Sequence, residues 1–523
     1  MTDFKTGAGR RIDCVLLIYP PVTFSRQSMK QCHLPLGIAY IAAVLREVAE
    51  VKVLDSAVEG YENESQILVQ DSSGRKSQTR KFLRYGLSFD EIEKRIAEAR
   101  PDIVGISCIF SSQFQNTLEV ARRAKRVNPE IITVVGGSHP TFLAEQCLYQ
   151  GSGAIDFIVK GEGEFALREL IEALRQGWGV EDVPGLAWIE EEDSSAVASG
   201  KISGRFRESP MRAPYPKLDD IPFPARDLFP LEKYHRISQP MGIVYKQRPF
   251  MNLITSRGCP YRCAFCSSTN FWGNKYRTRS PENVLAEMQE LKDKYGIREF
   301  KFFDDNLTAD LARAKKIFQG MIERNLKVSW NTPNGIHIAR MDEEMLDLMK
   351  KSGCYELTLA VESGDPSVLK DIIHKPTNLA EIKKSAKLLR KKGIGSYGFF
   401  IIGFPGETKE QIQRTLDFSR ELDLDRISCF IANPLPGTEL YQLAMEKGYI
   451  DRNYRFDEID YFEARFTTPE WTREELHRLR RNWFWKYNLG MLFRHPVRFF
   501  SRYKTILKRP GLIWEIIKRR VRA

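Results

Sequence analysis

Ser256-Arg-Gly-Cys259-Pro-Tyr-Arg-Cys263-Ala-Phe-Cys266 spaces three cysteines as C-x3-C-x2-C, and no other cysteine of the chain lies nearby to supply a fourth thiolate. An iron–sulfur cube needs a ligand on each of its four irons. Three protein ligands therefore leave one iron open to a small chelating molecule, and electron transfer from that iron into the chelate implies reductive chemistry. Two plainer readings compete, a zinc site and a set of packed core thiols. Structural zinc favours four protein ligands, commonly as paired C-x2-C units or C-x2-C with two histidines, and neither pairing occurs here. Core thiols have no reason to cluster on a loop punctuated by Gly258 and Pro260. Cys259, Cys263 and Cys266 are read as metal ligands on a loop, which places an apolar strand, Asn252 to Thr255, directly before it.

From that strand onward the pattern repeats. Glu299 to Phe303, Val328 to Trp330, Tyr355 to Val361, Tyr397 to Ile402 and Ile427 to Ile431 read as further strands, with helical periodicity over Pro281 to Tyr295, Asp342 to Lys351 and Leu379 to Lys391. Such β/α units form an incomplete barrel whose functional groups belong at the carboxyl ends of the strands. Toward the amino terminus a similar rhythm runs from residue 13 to 175, with aliphatic runs at Val15 to Tyr19, Val51 to Leu54, Ile103 to Ser107, Ile131 to Val135 and Ile155 to Val159 and helical stretches at Leu36 to Val48 and Phe114 to Val127. That alternation signals a parallel sheet wrapped by helices. The polar stretch Glu62 to Lys81 reads as a surface insertion. Gly185 to Glu190 and Lys201 to Phe206 suggest a hairpin, and the proline-rich stretch from Pro210 to Pro230 reads as a linker. The expected class is α/β: a Rossmann-like domain over 1–208, a linker over 209–250, a partial (β/α)6 barrel over 251–448, and a mainly helical region over 449–523.

The 523 residues are 42% hydrophobic and 28% charged, within the globular range. No apolar run spans a bilayer and the first residues lack a secretory core, so a cytoplasmic location is expected. Cys14, Cys32, Cys108, Cys147, Cys354 and Cys429 fall in strand-like and helix-like stretches as small apolar fillers, against a disulfide framework. The net charge of +12 resides largely in the tail, where Lys486 to Ala523 hold eleven Lys or Arg against the single acid Glu515. A groove for nucleic acid would be built into the folded body, so no nucleic-acid partner is expected.

In the first domain Asp55-Ser56-Ala-Val-Glu-Gly60, Ser107-Cys-Ile109 and Gly136-Gly137 end strands, where doubly wound sheets bind ligands. Each has a local reading too, since Asp often caps a helix and paired glycines often turn a chain. Together they resemble the D-x-H-x-x-G, S-x-L and G-G series of cobalamin-binding domains, with Ala57 standing where the cobalt-ligating histidine would be. The resemblance implies cobalamin held base-off with no imidazole from this motif. His139 lies close after the glycine pair, where a turn or capping role is the expectation. Gly161 and Glu162 follow the next strand and either complete the tail pocket or cap a helix.

The cysteine triplet with Phe265 resembles the radical S-adenosylmethionine superfamily. That likeness assigns Asp304 and Asp305, after the second barrel strand, to the methionine amino group, Glu362 and Ser363 to the ribose, and the segment around Gly403 to the adenine side. Arg277 and Arg279 read either as carboxylate binders or as solvated charges. Both domains in this order resemble the cobalamin-dependent, or class B, radical S-adenosylmethionine enzymes, and within them the methylcobalamin-dependent methylase of fosfomycin biosynthesis, over roughly residues 13–450. The resemblance implies a [4Fe-4S] cluster, S-adenosylmethionine and methylcobalamin as cofactors. Its chemistry would be methyl transfer to an unactivated carbon after hydrogen abstraction by a 5′-deoxyadenosyl radical, with no catalytic side chain beyond the cofactor ligands. An oxidative cyclase of the anaerobic porphyrin ring type shares the architecture, and a cobalamin-responsive binding module is the non-enzymatic alternative. The implied partners are a small-molecule or lipid substrate and an electron donor such as flavodoxin or ferredoxin. The basic tail interleaves Trp483, Trp485, Phe493, Val497 and Phe500 with its charges. Two readings are open for it: peripheral contact with the inner face of the membrane, or packing of the apolar residues on the barrel.

Overall fold

The computed structural model describes residues 9–25, 28–70, 79–191, 204–239, 244–338, 341–375 and 377–502. The start of the expected second hairpin strand, part of the polar insertion and the last 21 residues of the tail lie outside them. The chain divides into two compact units, Met1–Ile237 with Arg455–Glu458, and Ser238–Tyr454 with Ile459–Ala523.

Among the described residues unit one has ten strands: β1 (Cys14–Tyr19), β2 (Val22–Ser25), β3 (Glu50–Asp55), β4 (Glu64–Gln70), β5 (Thr79–Tyr85), β6 (Ile103–Ser107), β7 (Ile132–Gly136), β8 (Phe157–Val159), β9 (Leu186–Glu191) and β10 (Gly204–Glu208). Seven form one sheet in the order β10-β9-β8-β7-β6-β1-β3. The five from β8 to β3 are parallel, and β9 and β10 add an antiparallel edge. The near-continuous apolar runs of β1, β6 and β7 follow from burial on both faces. Helices Phe89–Ala99 and Phe114–Val127 share a core with Ile18, Ile106 and Val135 on one face. Helix Leu36–Leu45 is almost wholly buried and packs beside Gly163–Gln176. Its lack of a polar face explains why the amphipathic period is weak there.

Two stretches hold more regular structure than their composition suggests. The polar insertion contributes β4 and part of β5, which pair antiparallel with each other and with β2 in a separate three-stranded sheet. Tyr85 anchors that sheet: its ring meets Phe24 and Tyr61 edge-on and its hydroxyl donates to the Gln31 carbonyl. Nor is the proline-rich stretch after residue 209 a bare connector. Ala225 donates its N–H to the Ala39 carbonyl, and helix Leu231–Ile237 returns Tyr234 to Asp55.

Unit two holds β11 (Phe250–Leu253), β12 (Ser256–Arg257), β13 (Arg277–Thr278), β14 (Glu299–Phe302), β15 (Ser329–Ile336), β16 (Cys354–Glu362), β17 (Gly395–Ile402) and β18 (Arg426–Ile431). Six of them run parallel in chain order, β11-β14-β15-β16-β17-β18, an open barrel segment. β15 is longer than its sequence suggests because Thr332-Pro-Asn-Gly335 sits in it as an irregularity, with the register slipping between Thr332 and Ile336. Proline and glycine read as strand breakers, but a bulge accommodates both. Charged groups near the amino ends of the strands satisfy one another. Glu299 contacts Lys301 and Tyr355 and accepts the N–H groups of Lys246 and Gln247, while Arg426 pairs with Glu356 at 2.6 Å. This leaves the carboxyl ends for the site.

Candidate active site

In unit one the parallel register places the expected ligand residues along a single edge. Tyr19 lies beside Asp55, Ser107 beside Gly136, and Gly136 beside Val159. Asp55 is buried, caps helix Ser56–Glu59 by accepting the Val58 N–H, and hydrogen-bonds the Tyr234 hydroxyl. Burial raises its carboxyl to about 6 even though the Tyr234 bond pulls the other way. Gly60 answers to packing, because a Cβ there would lie 2.3 Å from the Gly86 backbone. Gly137 does too: its φ is +122° and a Cβ would approach the Cys108 carbonyl to 2.4 Å. Gly136 differs. A Cβ at that position meets nothing nearer than the Val159 carbonyl at 3.7 Å, so the protein itself leaves room beside it. Ser56 carries a buried hydroxyl with no hydrogen-bond partner among the described residues. Just past Ser107, Ile109 and Phe110 are 41% and 46% exposed. Gly161 takes φ +76° and donates its N–H to Thr141, and Glu162 is the N-cap residue of its helix without a side-chain capping bond. His139 is buried between Phe114 and Phe456, and desolvation lowers its imidazole to about 4, so it is neutral. Its Nδ1 has no partner among the described residues.

In unit two the cysteines sit on a loop closed at its base by the β12–β13 ribbon, with Ser256 opposite Thr278 and Arg257 opposite Arg277. Gly258 enters the loop at φ +86°. The loop is fastened at both ends of its middle residue: Ala264 donates to the Ile373 carbonyl at 3.0 Å and accepts from the Leu440 N–H at 2.9 Å. Phe265 and Cys263 pack on the cluster of Val368, Ile373, Phe404 and Leu440. Cys259 and Cys263 are partly accessible and Cys266 is exposed. Yet burial raises all three thiols, Cys263 and Cys266 to about 12. Lys375 opposes that rise at Cys263 and Cys259. Its ammonium is buried and donates to Glu362 at 3.0 Å and to the Ala360 carbonyl at 2.7 Å.

The carboxylates separate by role. Asp304 is fully engaged, accepting from the Thr255 N–H and hydroxyl and from the Ser256 hydroxyl. It pins the strand end from which the cysteine loop departs. Asp305 is the accessible neighbour, accepting from Ser268 at 2.7 Å. Glu362 ends β16 at φ +67°, a conformation costing a non-glycine residue about 1–3 kcal/mol. Ser363 bonds Thr415 at 2.8 Å and also accepts the Asp365 N–H, which makes it part of the scaffold. Gly403 takes φ +84° and donates to Glu407. Neither arginine is a solvated charge: Arg277 and Arg279 are both buried, Arg279 against Glu287 and Asn283.

Two sequence profiles match, the B12 binding domain over residues 23–171 and the Radical SAM superfamily over 253–419. The cytidylyl-2-hydroxyethylphosphonate methyltransferase of Streptomyces wedmorensis is 38% identical over 90% of this chain and 89% of its own. The chain belongs to the cobalamin-dependent radical S-adenosylmethionine methyltransferase family. An uncharacterized methyltransferase of Pyrococcus horikoshii is 32% identical over 82% of this chain and 83% of its own. The fold resembles that of the radical S-adenosylmethionine methyltransferase TsrM from Kitasatospora setae, with a TM-score of 0.62 at 19% identity, covering 84% of this chain and 78% of that one.

Membership in this family brings a [4Fe-4S] cluster, S-adenosylmethionine and cobalamin as cofactors, and the residues suit them. Among the described residues no three Cys, His, Asp or Glu side chains gather around one point as a single metal ion requires. The room beside Gly136, the unsatisfied Ser56 hydroxyl and the exposed Ile109 and Phe110 suit a large, partly apolar cofactor, while Ala57, buried and without a donor, supplies no axial ligand. Sequence reasoning missed Lys375, which no motif marks, and the stack of Tyr261 on His337 at 4.6 Å beside the cysteines. Only the path of the chain brings Lys375 and His337 to the loop.

Proposed function

We propose that this enzyme transfers a methyl group to an unactivated carbon of a small molecule. The observation that carries this reading is the 38% identity to a methyltransferase across 90% of the chain, together with the retention of the cysteine loop and the strand-edge glycines. When bound, the cluster and S-adenosylmethionine supply hydrogen abstraction, and methylcobalamin supplies the methyl group. The chain's own residues bind and orient. Cys259, Cys263 and Cys266 hold the cluster, with the Lys375 ammonium favouring the thiolates of Cys263 and Cys259. Asp305 is the accessible carboxylate for the methionine ammonium, and Asp304 acts behind it by fixing Thr255 and Ser256. Glu362, held by Lys375, accepts from ribose hydroxyls, the Gly403 segment borders the adenine, and Ser363 fixes the end of β16 through Thr415. Gly136, Gly137, Ser56, Ser107, Gly161 and Glu162 line the cobalamin tail, with Asp55 and Gly60 shaping the turn beneath it. A flavodoxin or ferredoxin type of donor supplies electrons, and no nucleic acid takes part because the positive charge is concentrated in the tail.

The test is anaerobic incubation of cluster-reconstituted protein with cobalamin, reductant, S-adenosylmethionine carrying a deuterated methyl group, and host-cell extract, read by mass spectrometry. One metabolite should gain a single labelled methyl. A dehydrogenated or ring-closed product without label would replace methyl transfer with cyclisation.

A further inference from the structure

The helix Arg473–Arg494 is two-sided in an uncommon way. One side is fastened to the barrel: Leu476, Trp483, Tyr487 and Met491 are buried, the Trp483 indole donates to Ser419 at 2.8 Å, and the Tyr487 hydroxyl donates to the Leu424 carbonyl. The other side is also apolar. Trp485, Leu489 and Phe493 follow one another at four-residue spacing and are 60%, 49% and 81% exposed. After the turn at His495, the helix Pro496–Arg502 continues the exposed apolar series with Val497 and Phe500, at 81% and 58%. Arg498 holds this second helix to the body through Asp423 and Asp425. The apolar series is therefore presented by a fixed scaffold, and an ordinary soluble surface has no use for it.

Charge selects the occupant. No Asp or Glu occurs between Leu476 and Trp514, while the exposed Arg481, Lys486 and Arg494 border the apolar side chains. A second copy of the chain would bring equal positive charge against this face. Phospholipid headgroups bring the opposite charge, and a row of aromatic and aliphatic side chains flanked by Lys and Arg suits the headgroup boundary of a bilayer. Among the described residues no helix is long and apolar enough to cross a membrane, so the contact is peripheral. We propose that the exposed face of helices Arg473–Arg494 and Pro496–Arg502 docks the enzyme on an anionic lipid surface.

The experiment is co-sedimentation of the full-length protein with vesicles of phosphatidylcholine alone or mixed with phosphatidylglycerol. Binding is expected only to the mixed vesicles and should weaken as salt is raised. The double variant Phe493→Ser, Val497→Ser should lose about tenfold or more in vesicle affinity while keeping the parent's melting temperature, because neither residue packs on the body. No binding to the anionic vesicles, or equal binding by the variant, would overturn the proposal. So would sedimentation velocity showing a dimer that the same two substitutions dissolve, since the face would then belong to a second copy. None of these measurements reads methyl transfer, so failure here leaves the proposed reaction untouched.

Discussion

Adjacent glycines at the end of β7 are alike in sequence and different in physics. Gly137 needs its positive φ and has a carbonyl where a Cβ would go, whereas Gly136 has neither constraint. Gly137→Ala should therefore destabilise the protein by about 2 kcal/mol or more in chemical denaturation. Gly136→Ala should leave stability within about 0.5 kcal/mol and weaken cobalamin binding in a spectroscopic titration. Glu407 provides a second residue-level test. It is fully buried, one oxygen accepts the Gly403 and Phe404 N–H groups, and desolvation raises its carboxyl to about 8. The folded state thus binds this proton more tightly than the unfolded chain. The associated stability is complete below the ordinary carboxyl value of 4.5 and is lost as pH rises through about 8, at up to about 1.4 kcal/mol per pH unit. Glu407→Gln, which keeps the acceptor and cannot ionise, should flatten that decline when denaturation midpoints are compared between pH 5 and 8. That desolvation outweighs the two backbone N–H bonds at Glu407 is a fact of packing.

At the scale of elements, the C-terminal helix shows why a tail with apolar residues on all sides resists reading. Composition offers two futures, burial on the barrel or exposure to a lipid surface, and the helix realises burial on one side while leaving the other apolar side uncovered. Trp483→Ala removes a buried indole and leaves Ser419 without its donor, and should cost about 3–5 kcal/mol. Trp485→Ala, two residues along and 60% exposed, should cost under about 0.5 kcal/mol. Paired thermal and denaturant melts distinguish them. Element positions were legible where periodicity was clean: β6, the helix Phe114–Val127 and the helix Pro281–Tyr295 lie where their patterns end. They were not legible at β4 and β15. The first begins with the polar run Glu64-Ser-Gln66 of a small separate sheet, and the second carries proline and glycine in a bulge.

Across the whole molecule, the residues expected at cobalamin and those of the cluster loop belong to different compact units. Replacing Cys259, Cys263 and Cys266 together by alanine should abolish iron loading and 5′-deoxyadenosine release. Cobalamin uptake should persist at about one per chain, because unit one keeps its parallel sheet and its strand-edge glycines without the loop. Loss of both by a variant that remains folded would show that the two units do not load independently.

The amino-acid sequence by itself determined the two α/β rhythms, the three-thiol spacing and the missing imidazole at Ala57, because each is local: strand and helix periods repeat within a few residues, and ligand identity is written in the side chain. Tertiary structure alone decided which of two neighbouring aspartates is accessible, which of two neighbouring glycines has room beside it, and that Lys375 reaches Glu362 and lends its charge to Cys263 and Cys259. Those outcomes depend on atoms contributed by segments far apart in the chain, and burial, hydrogen bonding and charge act through distance in space.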